Sequence, residues 1–258
     1  MDTKQEIVNN WLHRYTGLPV DQFGEYILLV NFSKYVYDFA VMYDVEVIGI
    51  GRAMQVATHD NISIINFGMG SPNAATIMDL LSAIMPKAVL FLGKCGGVKS
   101  SNSIGDLVLP IAAIRGEGTS NDYFPPEVPA LPAFALQKAI STTIREHNLD
   151  YWTGTVYTTN RRVWEHDSEF KEYLTLIRVI AIEMETATIF SVGFHNKIST
   201  GALLLISDMP MDPEGVKTEE SDINVTTNFV DSHLQIGIDS LKQIINNSIT
   251  VKHLKFNY

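Results

Sequence analysis

Two short acidic segments carry the residues best suited to chemistry. In Val179-Ile-Ala-Ile-Glu183-Met184-Glu185, two carboxylates stand where an apolar, strand-like run gives way to a helix read from Met184 to Phe194. A carboxylate behind a buried strand needs a partner, because an unpaired buried charge is costly. Glu183 is therefore the odder of the two, whereas Glu185 in the first helical turn also gains from the helix dipole. A carboxylate at this junction can accept hydrogen bonds from two vicinal hydroxyls of a sugar. Further along, Gly201-Ala-Leu-Leu-Leu-Ile-Ser207 runs into Asp208 and then Met209-Pro210. Ligands of open α/β sheets gather beyond the carboxyl ends of strands. An aspartate there among apolar neighbours has a raised pKa and can act as a proton donor, although Asp also serves as a turn or cap residue.

Two glycine-bearing segments also follow strand-like runs. Ile62–Phe67 leads into Gly68-Met-Gly70-Ser-Pro-Asn73 and a helix, close to the dinucleotide fingerprint. Asn73, a natural helix N-cap, stands where a small residue is needed, and the next strand ends in Gly93-Lys94 rather than an acid. What survives is a glycine-lined βα turn whose helix amides suit an anion or a sugar. The second segment, Gly93-Lys94-Cys95-Gly96-Gly97-Val98, reads as a similar turn in which glycines let a ligand approach the backbone. Lys94 there is a candidate phosphate contact, against the ordinary alternative of a solvated loop lysine.

The elements that must hold these residues follow from the pattern. Short β-rich runs at Tyr26–Phe32, Glu46–Gly51, Ile62–Phe67, Ala88–Leu92, Asp106–Ile114, Thr153–Thr158, Val179–Ile182 and Leu203–Ser207 alternate with helical stretches. Several are unbroken Val/Ile/Leu runs, as in strands covered on both faces. Helices are expected at Asn73–Met85, where apolar residues recur at three- and four-residue spacing, at Phe134–His147, and through Val230, Leu234, Ile238, Leu241 and Ile245. Tyr123–Pro132 carries four prolines and must be a stiff loop; Met209–Ser221 reads as a mobile flap. The expected architecture is α/β: three layers, helices on both faces of a mixed, mostly parallel twisted sheet, with residues 1–258 as one domain.

Composition sets the outer limits. The chain has 258 residues, 46% of them hydrophobic, and ample length for a large core. A formal charge of −10 argues against nucleic acid as a partner. Cys95 is the only cysteine, so no disulfide framework or cysteine-rich zinc site is expected. His13, His59, His147, His166, His195, His233 and His253 show no metal-ligand spacing, so neither a catalytic metal nor a cofactor is expected. With no apolar run long enough to span a bilayer and no basic-then-apolar leader, no membrane partner is expected and the chain reads as cytoplasmic.

Gly-Met-Gly-x-Pro at 68–72, Gly93-x-Cys-Gly96, Glu183-Met-Glu185 and Ser207-Asp208 resemble, in order and spacing, the hexameric nucleoside phosphorylase and nucleosidase superfamily. Within it, Ala113–Tyr123, the proline-rich loop, Tyr157–Trp164 and Met211–Lys217 resemble the catalytic domain of the AMP nucleosidase family. The resemblance implies a nucleoside phosphorylase-like fold and hydrolysis of AMP to adenine and ribose 5-phosphate. It implies that Glu185 binds the ribose 2′- and 3′-hydroxyls with Met184 packed beside them and Glu183 as the adjacent carboxylate. Asp208 would protonate N7 of the adenine, with Ser207 orienting it. Arg52 would reach a neighbouring subunit's phosphate, in a homohexamer.

The departures from the superfamily bear on the nucleophile. Where phosphorylases carry a glycine-and-arginine phosphate loop, this chain has Val30-Asn-Phe-Ser-Lys34-Tyr35; a phosphorylase arginine appears as Phe91 and the phosphate-binding serine as Lys94. These losses favour water over inorganic phosphate. Lys94, Arg115, Arg161 and Arg162 are the candidates for a substrate 5′-phosphate, Val163 or Trp164 for a wall of the base site, and Gly70 and Gly93 for close approach. The chemistry requires a pKa at Asp208 raised from about 3.9 to about 6–7. A phosphorylase, a methylthioadenosine-type nucleosidase, a nucleotide-binding regulatory protein and an NADP-type oxidoreductase are the competing expectations.

Overall fold

The computed structural model describes residues 3–246. Its eight strands are β1 (Tyr26–Val30), β2 (Gln55–His59), β3 (Ile62–Asn66), β4 (Ala88–Gly97), β5 (Leu107–Gly116), β6 (Trp152–Thr159), β7 (Ala181–Glu183) and β8 (Thr200–Asp208). The α-helices are α1 (Lys4–Thr16), α2 (Ser33–Tyr43), α3 (Ser71–Leu80), α4 (Phe134–Glu146), α5 (Ser168–Leu176), α6 (Thr186–His195) and α7 (Glu219–Asn246). Side chains alternate across a strand, so an unbroken apolar run feeds two cores at once. In β1, Ile27 and Leu29 pack with Leu12 of α1, Ile77 of α3 and Phe190 of α6. Tyr26, Leu28 and Val30 face the other way, onto Phe39 of α2, Ile140 of α4 and Leu234 of α7. Three layers result, as the sequence leads one to expect. A smaller third core under α5 joins Trp164, Leu174, Val179 and Ile182. No helix among the described residues is long and apolar enough to cross a membrane.

The sheet runs β2-β3-β1-β4-β7-β6-β5-β8, and β8 returns to pair with β4. Strands β4, β7, β6, β5 and β8 therefore close into a ring. Five of the eight pairings are parallel and three antiparallel. β4 is the hub. One of its edges pairs first with β1, up to Val30 opposite Leu92, and then with β7, where Ile182 lies opposite Gly96. The other edge carries β8 as far as Asp208 opposite Gly96.

Several local expectations fail, each for a steric or hydrogen-bonding reason. Gly93–Val98 is not a turn: β4 continues through Gly97, fully buried. The glycines there make room, since a Cβ at Gly93 would meet Phe91 at 2.5 Å and one at Gly97 the Met209 sulfur at 2.7 Å. Glu46–Gly51 forms only a single bridge, Ile48 to Val56, because Gly49 and Gly51 turn away at φ of 83° and 82°. Asn73 is not the cap of its helix. Gly70 is, at φ 94°, while the Asn73 amide donates back to the Met69 carbonyl at 2.9 Å. Strand β2 and helices α1, α2 and α5 were not anticipated from the sequence. His253 lies outside the described residues.

Candidate active site

The hub strand places the two acidic segments across from each other. At the carboxyl end of β4 lies a cleft, lined on one side by Asn31, Glu183, Met184 and Glu185 and on the other by Ser207 and Asp208. The acids come together because β7 and β8 end on opposite edges of β4 at the same residue, Gly96.

Glu183 and Glu185, two residues apart, have different environments. Glu183 is buried and accepts hydrogen bonds from the Thr158 hydroxyl and, at 2.7 Å each, from the backbone amides of Glu185 and Thr186. It thus satisfies the free amides that open α6, the role of a helix cap. Glu185, only 1% exposed, accepts the Gly70 amide at 2.7 Å. The anion-seeking turn at Gly68–Gly70 is therefore filled by the chain's own carboxylate, not left free for a ligand. The Ser71 hydroxyl donates to the Met184 carbonyl at 2.6 Å and clamps the same segment. Burial pushes both carboxyls upward; on Glu183 the three donors oppose the rise. On Glu185 the nearby Glu183 charge adds to burial and takes the pKa to about 8.

Asp208 ends β8 with its pKa raised by burial, against the opposing influence of the Ser207 hydroxyl, Lys217 and Arg162. The Ser207 hydroxyl donates to Asp208 Oδ1 at 2.6 Å, which fixes the carboxyl and leaves Oδ2 for a ligand. A carboxyl whose pKa burial raises, lining a cleft, is suited to giving up a proton there.

Of the cations, Lys94, Arg161 and Arg162 line the cleft, and Lys217 joins them. Lys94 is almost enclosed: its ammonium meets Asp222 at 3.0 Å and the Thr226 hydroxyl at 2.9 Å, and lies 4.8 Å from the centre of the Phe32 ring. Lys217 reaches the same Asp222 oxygen at 2.8 Å. Arg161 pairs with Asp167 at 2.7 Å and Arg162 with Glu165 at 3.1 Å, and both guanidinium groups remain about half exposed. Trp164 lines the cleft while belonging to the core under α5.

Other sequence candidates lie elsewhere. Arg115 does not line the cleft. It donates to the hydroxyl of Ser120, the side chain of Asn121 and the carbonyls of Phe124, Pro125 and Val128, and so pins the proline-rich loop. Val163 points to solvent outside the cleft, 69% exposed. Gly93 is enclosed in β4 and does not line the cleft. Arg52 lies on the protein's own surface, donating to the Arg14 carbonyl at 3.0 Å. Sequence reading missed Asn31, Phe32, Met69, Thr159, Glu165, Pro210 and Lys217, which also line the cleft. Asn31 had a usable signal, a polar residue directly after an all-apolar strand; the others had none.

Residues 41–247 match the family model described as the Phosphorylase superfamily. AMP nucleosidase of Escherichia coli K12 is 29% identical over 276 aligned residues, 89% of this chain and 57% of that protein, so this chain spans 57% of that relative's length. Guanosine phosphorylase of Halorubrum lacusprofundi is 26% identical over 63% of this chain and 69% of its own. Among solved structures, AMP nucleosidase from Bacteroides thetaiotaomicron superposes with a TM-score of 0.87 at 55% identity, covering 96% of this chain and 100% of that one. Uridine phosphorylase from Vibrio fischeri, at 21% identity and a TM-score of 0.77 over 87% of this chain and 93% of that one, shares the fold. A family match over most of the chain, set on this arrangement of strands and acids, places the chain in the phosphorylase superfamily.

Proposed function

We propose that this chain forms a catalytic domain that hydrolyses the N-glycosidic bond of AMP, releasing adenine and ribose 5-phosphate. The observation that carries the reading is the placement of the cleft acids: Asp208, its pKa raised by burial, on one edge of β4 and Glu185 on the other. The names of the Escherichia coli and Bacteroides thetaiotaomicron relatives support AMP as the substrate.

The bond from C1′ to N9 breaks through an oxocarbenium-like transition state, with negative charge moving onto the purine. Asp208 protonates N7 and removes the worst of that charge, while Ser207 keeps its carboxyl oriented. Glu185 holds the ribose 2′- and 3′-hydroxyls beside Met184. Glu183, spent on the amides of α6, positions Glu185 beside it. Arg161 and Arg162, whose guanidinium groups stay about half exposed, are the cleft cations open to a 5′-phosphate, whereas Lys94 and Lys217 share Asp222. Arg52, on the outer surface, serves a neighbouring subunit's site in a homohexamer.

The test is release of free base from AMP, adenosine, IMP and methylthioadenosine, each with and without inorganic phosphate. Adenine from AMP without phosphate is expected. In Asp208→Asn this activity falls by about 10²–10⁴-fold, the usual worth of a general acid. Adenosine cleaved only when phosphate is added would make the chain a phosphorylase instead, and a preference for methylthioadenosine would make it a different nucleosidase.

A further inference from the structure

Within the hydrolase reading, one component has no assigned residue: whatever holds the attacking water. We propose that Asn31 is that positioning residue, its side-chain Oδ1 accepting a hydrogen bond from the water that attacks C1′.

Two observations place it there. Asn31 lines the cleft, yet its Oδ1 is buried without a hydrogen-bond partner. A buried carbonyl oxygen left without a donor is costly, so such an atom in a ligand cleft marks a place reserved for a donor. The other half of the same amide is engaged, as its hydrogen bond to Glu185 works against the upward pull on that carboxyl. The amide is thereby held with its oxygen directed away from Glu185.

Topology supplies the direction of attack. Asn31 follows Val30, which pairs with Leu92 on one edge of β4, whereas Asp208 lies on the opposite edge, across from Gly96. Glu185 belongs to the Asn31 edge, following β7. A ribose seated on Glu185 with its purine toward Asp208 therefore presents the far face of C1′ to Asn31. Displacement needs the nucleophile on the side opposite the leaving group, which is the Asn31 side. Beside Asn31 in the cleft lining, the Lys94 ammonium is already paired with Asp222 and backed by the Phe32 ring.

The step balances without any further reactant. The water oxygen forms a bond to C1′ as the C1′–N9 pair leaves with adenine, and Asp208 supplies the N7 proton. The proton lost by the water leaves to solvent at the cleft mouth, and solvent returns one to Asp208, which restores the site. One AMP and one water give one adenine and one ribose 5-phosphate.

The experiment compares wild type with Asn31→Leu, which keeps the shape and removes the acceptor, and with Asn31→Ala in case the leucine variant does not fold. Expected is a kcat on AMP lower by about 100-fold, the scale of a misplaced reactant, with KM changed only a few-fold. In water–methanol mixtures the share of methyl riboside 5-phosphate among the products rises, because the competing nucleophile no longer faces a held water. A folded variant with near-normal kcat, a loss carried wholly by KM, or an unchanged methanol share would each overturn the assignment. Failure of the parent reading looks different: wild-type protein itself would release no adenine from AMP.

Discussion

Replacing Glu185 with glutamine is expected to abolish turnover and yet make the protein harder to unfold. Glu185 is 1% exposed, and burial together with the Glu183 charge moves its pKa from 4.5 in an ordinary glutamate to about 8. Between those values the folded protein retains a proton that the unfolded chain has released. Stability therefore falls as the pH rises through this window and levels off above about 8. At about 1.36 kcal/mol per pH unit, the wild type should lose on the order of 4 kcal/mol between pH 5 and pH 8 through this one group. Glutamine keeps an oxygen for the Gly70 amide and carries no proton to lose, so the variant should escape most of that loss. Urea unfolding at pH 5, 6.5 and 8 reads the difference directly, and melting at pH 8 should rise by about 10 °C. Parallel stability–pH curves for the two proteins would refute the reasoning, because they would mean that Glu185 folds without cost to its charged form.

Two further substitutions probe the supports of the site. Thr158→Val removes a hydroxyl that donates to Glu183 and accepts the Ala187 amide at 2.9 Å, so a loss of about 2–4 kcal/mol is expected in equilibrium unfolding; unchanged stability would remove Glu183 from its capping role. Arg115→Ala should free the proline-rich loop, with faster limited proteolysis between Tyr123 and Pro132. Arg115→Lys should restore little of the protection, because an ammonium cannot serve five acceptors held by a planar fork. If Arg115→Ala leaves the loop as resistant as wild type, the loop is held by other contacts.

What could be read from the sequence was what depends on near neighbours in the chain. The continuous apolar runs of β1 and β8 gave themselves away because both faces of each are covered. The pairs Glu183–Glu185 and Ser207–Asp208 were visible because polar residues at the ends of such runs have few structural uses. What stayed hidden depends on distant partners. The Gly93–Gly97 segment looks like a turn until Met209 and Pro210 are seen packed against glycines of a continuing strand. Arg115 looks like an anion site until the carbonyls of residues 124, 125 and 128 are folded around it. The division of roles between Glu183 and Glu185 was equally hidden, since it turns on Thr158 and Gly70, 25 and 115 residues away.

The closed ring of strands also governs how this protein can be made. β4 ends at Gly97 but lacks its second neighbour until Asp208 has been synthesised. At cellular elongation rates of about 5–20 residues per second, the growing chain spends roughly 6–22 s with that edge bare. Long-range pairing of this kind is also slow to nucleate. The nascent polypeptide is therefore most exposed to misassembly in the interval that ends with arrival of Asp208. Under the proposed function, no fragment that stops before Asp208 can carry the activity, because the last strand to seal the ring is also the one that brings the acid.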